Sequence, residues 1–233
     1  MDSLADMGGS QGWGRAQVPT EEPPFAEPWE GRAFALTLLT MGRISGRNLD
    51  AFRHALERLH PVDYLVDGYY GRWLNAAELM LVDSAVLAPG AVDARSRRNA
   101  GEEVEEPAFP EPAKPDYAPT AAGSLREVDG PPAFAPGDAV ETLDMHPVGP
   151  SKLPGYLRRR RGTVTAVRPG HLLPDTHAVF EGENAQYVYT VAFASTELWG
   201  PQAEPFTLQA DLFESYLDTQ RSVAGSSELE VGT

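Results

Sequence analysis

The residue types able to do acid–base or metal chemistry are present in this chain but scattered. Five histidines, His54, His60, His146, His171 and His177, show no His-x-His or His-x-x-x-His spacing, so a histidine metal site has no local nucleus. Asp175 and His177 could share a site, although after Pro174 a solvated loop is the expected setting. Carboxylates are abundant, yet none is paired in an apolar setting that would tune it for proton transfer. The chain has no cysteine, which excludes disulfides and any thiolate metal site made by this chain alone and fits a reducing compartment. Gly8-Gly9-Ser10-Gln11-Gly12 lacks the strand, lysine and helix of a phosphate loop, and no Gly-x-Ser-x-Gly elbow occurs. The run Arg158-Arg159-Arg160-Arg161 is either a charged turn before a strand or a contact for an acidic or oxyanionic partner. A self-sufficient catalytic constellation is therefore missing from the sequence.

The elements that must position these residues fall into two dissimilar halves, an α+β organisation. Residues 1–28 form an arm with Gly-Trp-Gly and repeated prolines and no hydrophobic period. Trp13, Phe25 and Trp29 argue that it is ordered and wraps another subunit, since disordered tails are poor in aromatics. A helical domain follows over 29–100. Residues 30–41 are broadly apolar and read as a well-buried helix. Asn48 is placed as the N-cap of a helix over 49–59, in which Leu49, Phe52, Leu56 and Leu59 make an amphipathic stripe. Pro61 ends that segment or opens the next. A third helix over 71–87 sets Trp73, Ala77, Met80, Leu81 and Ser84 along one side, stopped by Pro89-Gly90, and a short one is plausible over Ala91–Asn99.

Residues 101–130, acidic and proline-rich, cannot bury a core and read as a linker. From 131 to 220 the pattern changes to strands, over 138–143, 162–167, 187–193 and Thr207–Phe213, joined by Gly/Pro turns. This indicates a small barrel or sandwich, and the Pro136-Gly137-Asp138 turn is a weak cue for an SH3-like β-barrel. Residues 221–233 are expected to be a flexible tail. The net charge of −15 argues against nucleic acid, which needs a basic face. No apolar run approaches a membrane span and the first residues lack a signal peptide's basic and apolar regions, so a soluble cytoplasmic protein is expected.

Seven local signatures then occur in order. They are Asp6-Met7-Gly8-Gly9 with Gly12-Trp13-Gly14 and Pro28-Trp29-Glu30; Leu49-Asp50-Ala51-Phe52-Arg53; Tyr69-Tyr70 with Trp73; Arg126-Glu127-Val128; Phe134-Ala135-Pro136-Gly137-Asp138; Tyr189-Thr190-Val191-Ala192-Phe193 with Glu197-Leu198-Trp199-Gly200; and Asp211 through Leu217. Together they resemble the β subunits of nitrile hydratases across nearly the whole chain.

The resemblance implies a hydro-lyase that turns a nitrile into its amide and is active only as a complex. The metal, Fe(III) or non-corrin Co(III), is bound by a cysteine-rich loop of the α subunit, two of whose cysteines are oxidised, and not by this chain. It also implies an αβ heterodimer, paired into α2β2, with the site at the α–β interface. Arg53 falls where the family places an arginine on the oxidised-cysteine oxyanions. The same matching assigns Tyr69 as a hydrogen-bonding partner of the α-subunit metal loop and Leu49, Phe52 and Trp73 as pocket residues. Glu57, Tyr70 and Arg158 support them. Read from the residues alone, Arg53 would pair with a neighbour such as Glu57, and Leu49, Phe52 and Trp73 would be plain helix core.

One departure stands out. Where the family has a second arginine in a Gly-His-x-Arg segment, this chain reads Gly149-Pro150-Ser151-Lys152. Lysine keeps the charge but gives up the bidentate fork. Either Lys152 substitutes imperfectly, Arg158 or a neighbour reaches in, or the oxyanions are held differently. Two other readings remain beside this one. A metallochaperone-like accessory protein of the same family would resemble the N-terminal half without turning over substrate, and a thiocyanate-type hydrolase splits this region into separate chains.

Overall fold

The structure, a computed structural model, describes residues 3–10, 14–15, 23–116 and 123–218. The tail expected over 221–233, the end of the acidic segment and much of the arm, Trp13 included, lie outside the described residues. The chain divides into two compact units. One is helical and takes the described residues within 3–116 together with His177–Glu181; the other is β-rich and is built from the described residues within 123–176 and 182–218.

In the helical unit α1 spans Pro28–Leu39, opened by Pro28 in the first turn and a capping box between Glu27 and Glu30. It runs into a π turn at Thr40–Ile44. Only Ala33 and Thr37 of α1 are buried, while Leu36, Leu38 and Leu39 are about half exposed, so the well-buried helix expected here is corrected. The physical reason is that α1 is apolar on several faces but packs chiefly on α4. Helix α2 spans Leu49–Glu57, with the Asn48 side chain accepting from the Ala51 N–H at 2.8 Å. Its buried face is Ala51, Phe52 and Ala55, so Leu49 falls outside the stripe and stands exposed. Pro61 opens a separate helix, α3, at Pro61–Val66. Helix α4 spans Gly68–Asp83 and α5 Ala91–Asn99.

The core between α2 and α4 is small: Phe52, Ala55, Ala76 and Met80, flanked by Met41, Leu56, Trp73 and Leu79. Alanines at 55, 76 and 77 let the two helices approach closely around Phe52 and Met80. Phe25, at the end of the arm, packs on Phe34 and Tyr70 of its own chain, with ring centroids 6.0 and 5.2 Å away. The acidic segment has no helix or strand over 102–116. It is nevertheless tied to the helical unit, because Glu106 accepts a bidentate pair from Arg95 and the Ala113 N–H donates to the Ser84 carbonyl at 2.9 Å.

The β unit is a four-stranded antiparallel sheet in the order β1 (Ala139–Glu141), β2 (Arg161–His171), β3 (Gln186–Ala194), β4 (Thr207–Phe213). Register shifts at Val164/Ala166 and Arg168/Gly170 let β2 bend. Beyond β4 the chain returns to the first strand, where Thr142 bridges Leu217 and the Asp218 N–H donates to the Glu141 carbonyl at 2.9 Å, so the sheet curls on itself. One-turn helices α6 (Pro174–His177) and α7 (Ser195–Trp199) flank β3. The turn into β1 is set by Asp138, whose carboxylate accepts from the Ala135 N–H at 2.8 Å, and by Gly137 at φ 100°. The core gathers Leu153, Leu157, Val164, Tyr189, Val191, Phe193, Leu212 and Tyr216.

Candidate functional site

In the helical unit α2 and α4 carry seven of the nine residues singled out above. Phe52 is buried and its ring meets Trp73 edge-on at 5.1 Å. Trp73 in turn lies 5.5 Å from Tyr69 and 6.0 Å from Tyr70, and Tyr69 meets Tyr70 edge-on at 5.0 Å. These four aromatics therefore form one continuous cluster, with Tyr69 its exposed end. Leu49 and Arg53 are also exposed on α2, one helical turn apart.

Among the described residues Arg53 makes no hydrogen bond or ion pair, so the expected pairing with Glu57 is not the arrangement found. Glu57 faces His54 instead, with its carboxylate 3.4 Å from Nδ1. The reason is positional, since Glu57 is largely buried beside His54 while Arg53 points to solvent.

Lys152 and Arg158 belong to the β unit. The Lys152 N–H donates to the Tyr216 hydroxyl at 3.0 Å, and that hydroxyl donates to Asp175 at 2.6 Å. Burial raises the Asp175 carboxyl above its ordinary value, opposed by the Tyr216 hydrogen bond and the Lys152 charge. Burial likewise raises the Tyr216 phenol, helped by the adjacent Asp175 charge, so the phenol remains a donor. The Lys152–Tyr216–Asp175 cluster was not visible in the sequence, because only the fold brings residues 152, 175 and 216 together.

Arg158 is buried and approaches His146 Nδ1 at 3.0 Å. Arg159 pairs with Asp144, Arg160 donates to the Glu197 carbonyl at 3.2 Å, and Arg161 reaches Glu141 at 3.4 Å. The four-arginine run thus lies at the turn into β2, with these contacts made inside its own unit. Asp175 and His177 are not a solvated pair either. They part, Asp175 toward Tyr216 and His177 into the helical unit, where it is buried.

The raised Asp175 carboxyl carries a stability prediction. A carboxyl whose proton is held more tightly in the folded state favours folding at low pH, and that contribution is lost as pH rises through the carboxylate range. Asp175→Asn keeps an acceptor for Tyr216 and removes the titration. Its unfolding free energy relative to the parent chain should therefore increase between about pH 3 and about pH 6, read from urea midpoints. A flat difference would show that Asp175 is not perturbed.

The N-terminal domain of the nitrile hydratase beta subunit matches residues 1–121, and the C-terminal domain of the same subunit matches residues 123–219. The chain belongs to the nitrile hydratase β-subunit family. It is 35% identical over 220 residues to the nitrile hydratase subunit beta of Pseudomonas putida, covering 94% of this chain and 99% of that relative. It is 33% identical to the low-molecular weight cobalt-containing nitrile hydratase subunit beta of Rhodococcus rhodochrous, covering 93% and 99%. Identity to the cobalt-containing nitrile hydratase subunit beta of Pseudonocardia thermophila is also 33%, over 94% and 96%. Among solved structures, the thiocyanate hydrolase of Thiobacillus thioparus, a recombinant apo-enzyme, matches 38% of this chain and 77% of its own at 26% identity, with a TM-score of 0.36.

Nitrile hydratases as a family act with an α subunit, and cobalt is named in two of these relatives. Among the described residues of this chain no group of three or more His, Cys, Asp or Glu could hold a metal ion. No helix among them is long and apolar enough to cross a membrane.

Proposed function

We propose that this chain is the β subunit of a working nitrile hydratase, adding water across the C≡N bond of a nitrile to give the amide, at an iron or cobalt held by a cysteine-bearing α subunit. The same reading makes the assembly an αβ heterodimer, paired into α2β2, in the cytoplasm, and makes the β unit an SH3-like barrel. The observation that carries it is Arg53: in a chain of this family, an exposed arginine on α2 with no partner of its own among the described residues. A permanently charged side chain left open in this way is suited to receive an anion from another chain.

When bound, the partner's metal supplies Lewis acidity toward the nitrile or water. The residues of this chain do the rest of the positioning. Arg53 donates two parallel N–H bonds to an oxidised-cysteine oxyanion of the α subunit and holds that charge in a fixed geometry. The Tyr69 hydroxyl, which has no hydrogen bond among the described residues, donates to the α-subunit metal loop. Leu49 and Trp73 offer apolar surface to the nitrile substituent, with Phe52 behind Trp73 and Tyr70 bracing Tyr69. Glu57, which faces His54 on α2, and Arg158, which contacts His146 in the β unit, have supporting roles in this reading.

Lys152 stands for the family's second arginine as a point charge, part of whose field is directed at Asp175. Lys152→Arg supplies the missing fork, so kcat for amide formation by the complex should rise roughly tenfold, the worth of about one charge-assisted hydrogen bond. The test is steady-state nitrile hydration by the co-purified complex with either side chain at 152. An unchanged or lower kcat would remove Lys152 from the oxyanion site.

A further inference from the structure

Five residues from the second half of the sequence, His177–Glu181, form part of the helical unit. Their contacts converge on the residues just before and within the first turn of α2. His177 Nδ1 lies 2.8 Å from Asp50 Oδ2, and both side chains are nearly buried. The Asn48 Nδ2 donates to the His177 carbonyl at 2.8 Å while its second hydrogen faces His177 Nε2 at 3.4 Å. These contacts are mutually consistent when His177 carries its proton on Nδ1, donates it to Asp50 and accepts at Nε2. Three residues on, the Arg47 guanidinium lies 5.6 Å from the centre of the Phe180 ring, and Arg47 is itself fixed by Ser84 at 2.8 Å and the Asp83 carbonyl at 2.8 Å. Phe180 has φ 62°, a conformation a bulky side chain adopts only when its surroundings impose it.

Asp50 stands three residues before Arg53 and Glu57 four residues after it. At those spacings on a helix either carboxylate is a natural ion-pair partner for the arginine. Each is directed elsewhere by a histidine, Asp50 by His177 and Glu57 by His54. A nine-residue helix has little intrinsic stability, so its first turn depends on such contacts.

We propose that His177 is a positioning residue for nitrile hydration: it holds the Asp50 carboxylate inward and fixes the first turn of α2, which leaves the Arg53 guanidinium open to an oxyanion from the partner subunit. The inference rests on the reading of Arg53 given above and goes beyond it. Nothing about His177 in the sequence announces the role, since it lies 124 positions from Arg53 in a segment that reads as loop.

The test is a mutant cycle in the assembled complex. His177→Ala should lower kcat by about tenfold with KM within about twofold, the effect of misdirecting one charged donor. Adding Asp50→Asn to His177→Ala removes the competing charge and should restore most of the rate. In an Arg53→Ala background, His177→Ala should change kcat by less than about twofold, because its effect passes through the arginine. His177→Asn, which keeps a donor near the Nδ1 position, should remain close to the parent enzyme and guards against simple misfolding. In the purified chain, hydrogen exchange at the Ala51 and Phe52 amides should accelerate in His177→Ala and recover in His177→Asn. A His177→Ala enzyme with the parent kcat, a loss undiminished in the Arg53→Ala background, or a loss that Asp50→Asn fails to rescue would each overturn the inference. If Arg53→Ala itself leaves kcat unchanged, the reading of Arg53 is wrong and the positioning role falls with it.

Discussion

Replacing Arg53 with alanine should lower kcat of the assembled complex by roughly 10²–10³-fold, the loss typical of removing one preorganised donor to a developing or fixed oxyanion. The expectation follows from where the side chain stands. In the chain by itself Arg53 is exposed and has no partner among the described residues, so its removal there leaves no buried charge unpaired and opens no cavity. Stability of the chain purified alone should therefore change by no more than about 0.5 kcal/mol, the range of ordinary surface substitutions. A large kinetic effect beside an unchanged melting temperature would separate function from folding. Arg53→Lys keeps the charge and loses the fork, so its kcat should fall between parent and alanine variant. Metal content measured on the same preparations distinguishes loss of an oxyanion contact from loss of the metal. A parent-like kcat in Arg53→Ala would place the arginine outside the site.

Phe193→Ala should produce the largest loss of stability, about 3–5 kcal/mol, because it deletes a fully buried ring from the centre of the β unit. The melting temperature of the chain should fall by on the order of 10 °C. Phe193 lies on β3 in the same core as Val164, Val191 and Leu212, and its ring is one of three groups that crowd Gly162 on the neighbouring strand. A Cβ at 162 would come within 2.6 Å of Val191 Cγ1, 2.9 Å of the Ala192 carbonyl and 3.0 Å of the Phe193 ring. Gly162→Ala alone should accordingly cost about 1–3 kcal/mol through overpacking. Part of that contact is with the Phe193 ring, so Gly162→Ala should cost less in a Phe193→Leu background. Equal costs in both backgrounds would mean that the ring does not set the space at 162.

How much of this could be read from the sequence varies with the range of the interaction. The Asn48 cap, the helix over Ala91–Asn99 and the strand over Thr207–Phe213 were legible because a cap, a stop signal and a short β-rich run are local. Apolar composition overstates the burial of α1, because it says nothing about how many neighbours are available to cover the helix. The spacing of Leu49 puts it on the apolar stripe, yet the alanines at 51 and 55 let α4 approach on an adjacent face. At the candidate site Arg53, Tyr69 and Trp73 came from ordered family signatures rather than from periodicity. The Lys152–Tyr216–Asp175 cluster and the His177–Asp50–Asn48 contacts join residues 23 to 129 positions apart. No local pattern encodes such pairings, and the loop-like setting of Pro174 through His177 conceals one buried titratable group, His177, and one partly buried, Asp175.

The measurement that bears most directly on the central claim is co-purification of this chain with a cysteine-bearing α subunit, followed by metal analysis and assay of amide formation from a simple nitrile. The account predicts a lasting complex carrying about one iron or cobalt per αβ pair and turning nitrile into amide, with neither subunit active alone. A chain that never forms a lasting complex with the α subunit, or a metal-loaded complex that hydrates no nitrile, would contradict it.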